Sequence, residues 1–235
     1  PDGRHFSDSV EPTPGRALPL PIYSGRFVAA PPFPRSVAGD VSTAEQWFVV
    51  GTSGDDPPRL MDAGRGYDSR PAQWSQDSKY LALASQSADY KSQEIRVIDV
   101  STGKAKTVFH QVDDRWAEVS DIGWDRESKK IWFTSDQSGF KHLYTAGIDG
   151  NGLKQITHGN WEIHNDSFSH DPQWIGDSIY YSSTAAGTAE RQLYRVKADG
   201  SSLPERLSKQ EGMHIGWISE DGRSRAELRA DMKNP

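Results

Sequence analysis

Four short strings carry residue types able to do chemistry. HNDSFSHD, residues 164–171, gathers His164, Asp166, His170 and Asp171. Imidazole and carboxylate together are plausible zinc or manganese ligands. The spacing is not helical and no H-E-x-x-H is present, so a polar loop between strands is the preferred reading. DDRWAE, residues 113–118, places Asp113, Asp114, Arg115 and Glu118 around Trp116. Paired carboxylates there could serve acid and base catalysis, but a solvated connection is preferred. Asp149-Gly150-Asn151-Gly152 has the composition of a calcium loop without the EF-hand spacing or its terminal Glu, and is read as a turn. Gly51-Thr52-Ser53-Gly54 is the nearest approach to a serine-hydrolase elbow, and its spacing is wrong. No catalytic, cofactor-binding or metal residue is therefore assigned, and no cofactor is expected.

The elements that carry these strings repeat. QWSQDSKYLALAS begins at Gln73, GWDRESKKIWFTS at Gly123, QWIGDSIYYSS at Gln173 and GWISEDGRSRAEL at Gly216. Trp74, Trp124, Trp174 and Trp217 are spaced by 50, 50 and 43 residues and read as packing anchors at blade starts. After each of the first three comes an alternating strand, a turn of the STG, DGNG or DGSS type, and another strand. In the first of these, Val97 and Asp99 should face one way and Ile98 and Val100 the other. Ile131-Trp132-Phe133 reads as an inner strand covered on both faces. About four antiparallel strands in 43 to 50 residues suit a β-propeller blade, giving an all-β chain of four to five blades within a larger propeller. Residues 1–67 form a separate Pro-rich, irregular region with a partial blade and one strand at residues 46–50; residues 68–235 carry the blades.

Composition narrows the partners. The 235 residues include no Cys, which excludes disulfides, a thiol nucleophile and a thiolate metal site. A net charge of −6 with scattered Lys and Arg argues against nucleic acid. No run of apolar residues is long enough to span a membrane. Composition leaves the compartment open, with a periplasmic or secreted setting favoured over a cytoplasmic one.

GWDRESKKIWFTSDQSGFKHLYTAGIDGNGLKQITHGNWEI, residues 123–163, resembles the propeller of dipeptidyl peptidase IV-like serine peptidases of the prolyl oligopeptidase clan. The resemblance rests on Ser135, Gly139-Phe140, His142-Leu143-Tyr144, Asp149-Gly150 and Ile156-Thr157-His158-Gly159-Asn160-Trp161-Glu162. It extends over about residues 68–235, through IYYSSTAAGTAERQLYRVKADG from Ile179 and the final GMHIGWISEDGRSRAELRADMKNP. It implies a non-catalytic propeller that restricts access of peptide substrates to an α/β-hydrolase domain following Pro235. The chain opens on Pro1 rather than Met, and the expectation is a portion of a longer protein. No Glu-Glu pair occurs, so the family's glutamate clamp for a substrate amino terminus has no counterpart here. The alternative is a TolB-like binding scaffold without catalysis. A complete five-bladed propeller is a third reading. Open blade edges also make a homo-oligomer an expectation.

Overall fold

Alternation of branched or aromatic residues with polar ones, broken by Asp- and Gly-bearing turns, makes the described residues fold as strands joined by turns and loops. The computed structural model describes residues 46–52, 56–64, 72–87, 89–164 and 172–231, and the backbone of three earlier strands. The elements are β1 (His5–Asp8), β2 (Ala17–Pro19), β3 (Pro32–Pro34), β4 (Gln46–Val49) and β5 (Arg59–Met61). The first full blade holds β6 (Gln73–Trp74), β7 (Tyr80–Gln86), β8 (Ser92–Asp99) and β9 (Ala105–Val112). The second holds β10 (Val119–Trp124), β11 (Lys130–Ser135), β12 (His142–Gly147) and β13 (Lys154–Gln155). The third holds β14 (Ile163–His164), β15 (Gln173–Ile175), β16 (Ser178–Ser183), β17 (Gln192–Lys197) and β18 (Glu205–Arg206). A terminal hairpin pairs β19 (Met213–Ile218) with β20 (Arg225–Ala230).

All pairings within these sheets are antiparallel, as expected of propeller blades. The expected strand at residues 46–50 is β4, which joins β1 and β5 in an N-terminal sheet. Ahead of it the Pro-rich region contributes the short β2–β3 pair. Among the described residues no pairing joins the first sheet to the last.

Each of the three seams that join the N-terminal sheet and the three full blades has its own apolar core. Trp47, Met61, Leu81, Leu83 and Ile98 fill the seam between the N-terminal sheet and the first blade. Ile95, Val97 and Phe109 meet Trp124, Ile131, Phe133 and Tyr144 between the first and second blades. Trp132, Leu143 and Ile156 meet Ile179, Tyr181 and Val196 between the second and third. Val97 and Ile98 thus serve opposite seams, and so do Phe133 and Trp132, as two-sided burial of an inner strand requires. The rings at the first–second seam form a column, with Phe109–Phe133 centroids 4.6 Å apart and Phe133–Tyr144 5.6 Å apart. Trp161, Tyr181 and Tyr194 repeat it one seam on, at 6.3 and 5.9 Å. Trp132 lies so close over Gly123 that a Cβ there would fall 2.3 Å from its indole nitrogen.

Three of the four tryptophan anchors behave as expected. Trp124 is buried and donates its indole N–H to the Gln73 carbonyl of the previous blade at 2.9 Å, while Trp74 and Trp174 pack against the flanking cores. The fourth is displaced by one residue. Ser75, Asp125 and Ser219 close equivalent turns by donating to the carbonyls of Tyr80, Lys130 and Ser224. The residues before them are Trp74, Trp124 and Ile218, paired with Leu81, Ile131 and Arg225. Ile218 is therefore the fourth anchor, and Trp217 points to the opposite face. A one-residue offset inverts the face of every side chain in a strand.

Tyr181 is fully buried in its column, and its hydroxyl finds no protein partner. Burial pushes the phenol's pKa well above its ordinary value. Tyr181→Phe keeps the ring and removes the unsatisfied O–H, and should stabilise the fold by about 1 kcal/mol in urea denaturation. An unchanged or lowered midpoint would contradict this.

Candidate functional site

The blades present two ends, each a row of connections between strands. At one end, tight turns link adjacent strands, each organised by a carboxylate. Asp99 accepts the N–H of Ser101 at 2.8 Å and its hydroxyl at 2.5 Å; Asp221 accepts the Ser219 hydroxyl at 2.6 Å and the Arg223 N–H at 3.0 Å. The serine hydroxyls, with backbone N–H groups adding to them, hold both carboxyls below their ordinary range. Asp149 accepts the N–H of Asn151 at 3.0 Å, so the string with calcium-loop composition is one of these turns.

The opposite end carries the remaining connections, and its β7–β8 loop is again an aspartate turn, in which Asp89 accepts the Ser87 hydroxyl at 2.6 Å and the Lys91 N–H at 3.2 Å. This end presents the β7–β8, β11–β12 and β16–β17 loops and the link from β9 to β10, which holds Asp113, Asp114, Arg115, Trp116 and Glu118. Asp113 accepts the N–H groups of Arg115 and Trp116 at 2.7 and 3.1 Å, and these bonds depress its pKa. Its own N–H donates to the Lys91 carbonyl, and that of Ala117 to the Tyr90 carbonyl. Two loops are thereby tied together. The tie stacks Trp116 on Tyr90, with centroids 4.8 Å apart and planes 10° from parallel. Both rings remain in solvent, 51% and 41% exposed, although most aromatic rings in the blades are covered.

Glu118 is held separately. Its carboxylate takes the Lys141 ammonium at 2.7 Å, and its backbone N–H donates to Asp136 at 3.1 Å. The carboxylates of 113–118 therefore do not converge as an acid–base pair: one shapes a turn and another neutralises a lysine. His164 ends β14 and is half-buried, while residues 165–171, with Asp166, His170 and Asp171, lie outside the described residues. Among the described residues no group of three or more His, Asp or Glu side chains could hold a metal.

The string HLY…ITHGNWE proves to be a structural latch at this same end. His142 is buried, with Nδ1 3.1 Å from the Thr157 hydroxyl and Nε2 3.0 Å from the Gly159 carbonyl. A carbonyl only accepts, so the neutral ring carries its proton on Nε2 and receives the threonine O–H at Nδ1. The Thr157 oxygen in turn accepts the Leu143 N–H at 3.0 Å, and the Trp161 indole meets the His142 ring edge-on at 4.8 Å. Burial lowers the pKa of His142, in keeping with a neutral ring. Gln192 is the equivalent in the third blade; in the first the ladder puts Glu94 in this place, with Gln93 beside it on the opposite face. Gln93 receives the Val119 N–H of the next blade, and Gln192 receives the Ser208 hydroxyl at 2.5 Å. The sequence holds a signal for this latch: residues 142 and 192 are one blade period of 50 apart, and each opens the third strand of its blade.

Comparison with known proteins gives the family. The family model for the dipeptidyl peptidase IV (DPP IV) N-terminal region matches residues 38–228. The chain belongs to this family. The match begins well before residue 68, where the motif-based resemblance starts, and so takes in β4 and β5. A probable dipeptidyl peptidase 4 of Aspergillus fumigatus is 26% identical over 221 residues, covering 83% of this chain and 28% of that protein. The crystal structure of Porphyromonas gingivalis dipeptidyl peptidase 4 superposes with a TM-score of 0.72 at 15% identity, over 94% of this chain and 31% of that one. A putative TolB from Agrobacterium tumefaciens superposes at 0.56 with 18% identity, covering 92% of this chain and 71% of that one. The chain spans under a third of the dipeptidyl peptidases it matches, corresponding to the N-terminal propeller region of larger enzymes.

Proposed function

We propose that this chain is the substrate-facing propeller portion of a dipeptidyl peptidase IV-like serine peptidase, and that one end of its blades restricts access and positions peptides for cleavage elsewhere in the parent protein. The observation that carries this reading is the solvent-exposed Tyr90–Trp116 stack, set at the end opposite the Asp99 and Asp221 turns and held by bonds between two loops. Aromatic faces fixed by backbone bonds bind apolar and proline-like surfaces with little ordering cost. In this reading the chain's part is binding and exclusion. A peptide is the substrate expected of this family.

The test uses the intact parent protein carrying Tyr90→Ser and Trp116→Ser. For an extended peptide, KM should rise about three- to thirtyfold with kcat little changed, the signature of lost uniform binding. A dipeptide-length chromogenic substrate should be hydrolysed as before. Equal effects on both substrates, or on neither, would defeat the proposal. The TolB likeness supports a second reading, a binding scaffold with no catalysis in the parent chain. Sequencing downstream of Pro235 separates the two: a G-x-S-x-G motif followed by Asp and His supports the peptidase, and a stop codon supports the scaffold.

A further inference from the structure

We propose that the seam between the third blade and the β19–β20 hairpin is a polar hinge, at which the hairpin swings away while the other blades stay packed. The three preceding seams are each filled by an apolar core, and among the described residues this one has none. The strand register shows what stands in its place. His214 pairs with Arg229 where the second and third blades pair Val119 with Ser135 and Ile163 with Ser183. Arg225 takes the position of Ile131 and Ile179, and Glu227 that of Phe133 and Tyr181. Three apolar seam positions have become an ionic cluster.

The cluster is fully engaged. His214 is buried, with Nδ1 against the Glu227 carboxylate and Nε2 3.0 Å from the Gln210 carbonyl. Arg225 Nε lies 3.0 Å from the second Glu227 oxygen, and its Nη2 donates to the Leu207 carbonyl at 3.1 Å. Arg229 donates to the Glu211 carbonyl at 3.3 Å and to Asp231 at 2.7 Å. Direct bonds from the third blade complete the seam: the His214 N–H donates to the Arg191 carbonyl at 2.8 Å, the Ile218 N–H to the Gln173 side-chain oxygen at 3.0 Å, and the Ser182 hydroxyl to the His214 carbonyl at 3.2 Å. Apolar contact comes from Leu193, which sits over Gly216 so closely that a Cβ there would lie 2.7 Å from it, and from Ile175, near Gly222. Polar contacts of this kind are exchanged for water with small net loss, whereas an opened apolar core loses its burial outright. The seam is therefore well defined when closed and inexpensive to open, the pattern of a sub-global opening unit.

Hydrogen exchange of the intact protein at rising urea tests this. The reporters are the His214 and Ile218 amides here, and the Ile163 amide, which donates to the Lys141 carbonyl one seam earlier at 2.9 Å. His214 and Ile218 should exchange at least about tenfold faster than Ile163 and lose protection at lower urea. Glu227→Gln, which keeps the shape and removes the charge, should widen the gap. The combined His214→Val, Arg225→Ile and Glu227→Phe, which restores the residues of the second blade, should narrow it to within about threefold. A single common isotherm for all three amides in the unsubstituted protein would overturn the proposal, whatever the variants do. So would a gap that Glu227→Gln leaves unaltered.

Discussion

Phe133→Ala is expected to cost about 3–5 kcal/mol of stability, enough to leave the first and second blades poorly joined. Phe133 is fully buried at the centre of the Phe109–Phe133–Tyr144 column, so truncation removes both neighbours' ring contacts and opens a cavity between two rigid sheets. Sheets fixed by their own ladders relax little toward such a gap, which places the cost at the upper end of the range. Urea denaturation followed by tryptophan fluorescence measures it. Since Trp124 shares this core, its emission should shift at the same midpoint. A loss below about 1 kcal/mol would mean that the seam collapses and refills, contrary to a close-packed column.

The second large effect concerns His142. Removing the ring in His142→Ala empties a buried site, strands the Gly159 carbonyl and frees the Thr157 hydroxyl, for an expected loss of about 2–4 kcal/mol. His142→Gln should be far milder, because glutamine occupies the equivalent place in the third blade as Gln192. The same pair tests the role of protonation. Burial lowers the folded-state pKa of His142 below the 6.5 of a free imidazole, so at acid pH the unfolded chain binds the proton first. The stabilisation is complete above about pH 6.5 and is lost as pH falls from there toward the folded-state pKa. Melting temperatures between about pH 7.5 and 5 should therefore decline in the unsubstituted protein and decline less in His142→Gln. Parallel curves would show that the ring is not held neutral. The turn carboxylates do not confuse this window, because Asp99 and Asp221, with pKa values held below 3.8, act only at lower pH.

Much of the architecture was legible because a propeller repeats its physics. Three tryptophans at intervals of 50 residues, each followed by an Asp- or Ser-bearing turn, located three blades, and the alternation in Arg96–Val100 assigned Val97 and Ile98 to the correct opposite seams. The fourth blade start was misread by a residue, because an indole at Trp217 outweighed the turn pattern Ser219–Asp221–Gly222 that fixes the register. That slip hid the exchange of Val, Ile and Phe for His214, Arg225 and Glu227, visible only once the strands are paired. The candidate site was legible in part. DDRWAE was singled out for its charges, yet its exposed feature is Trp116, whose partner Tyr90 lies 26 residues away in another loop. Pairing across loops leaves no local signal. HLY and ITHGNWE were legible as family marks, but their role as a latch around a neutral histidine emerges only from the hydrogen bonds.

Ser75, Asp77 and Tyr80 at one end of the first blade and Ser87, Asp89 and Ser92 at the other make the same turn: the first serine hydroxyl donates to the aspartate and receives the N–H of the residue five positions on. An extra residue in either would break the bonds that the carboxylate makes within its own loop. Insertions, affinity tags and randomised segments should accordingly be rejected at both. An engineer seeking a new binding surface on this blade has side chains to exchange rather than loops to lengthen.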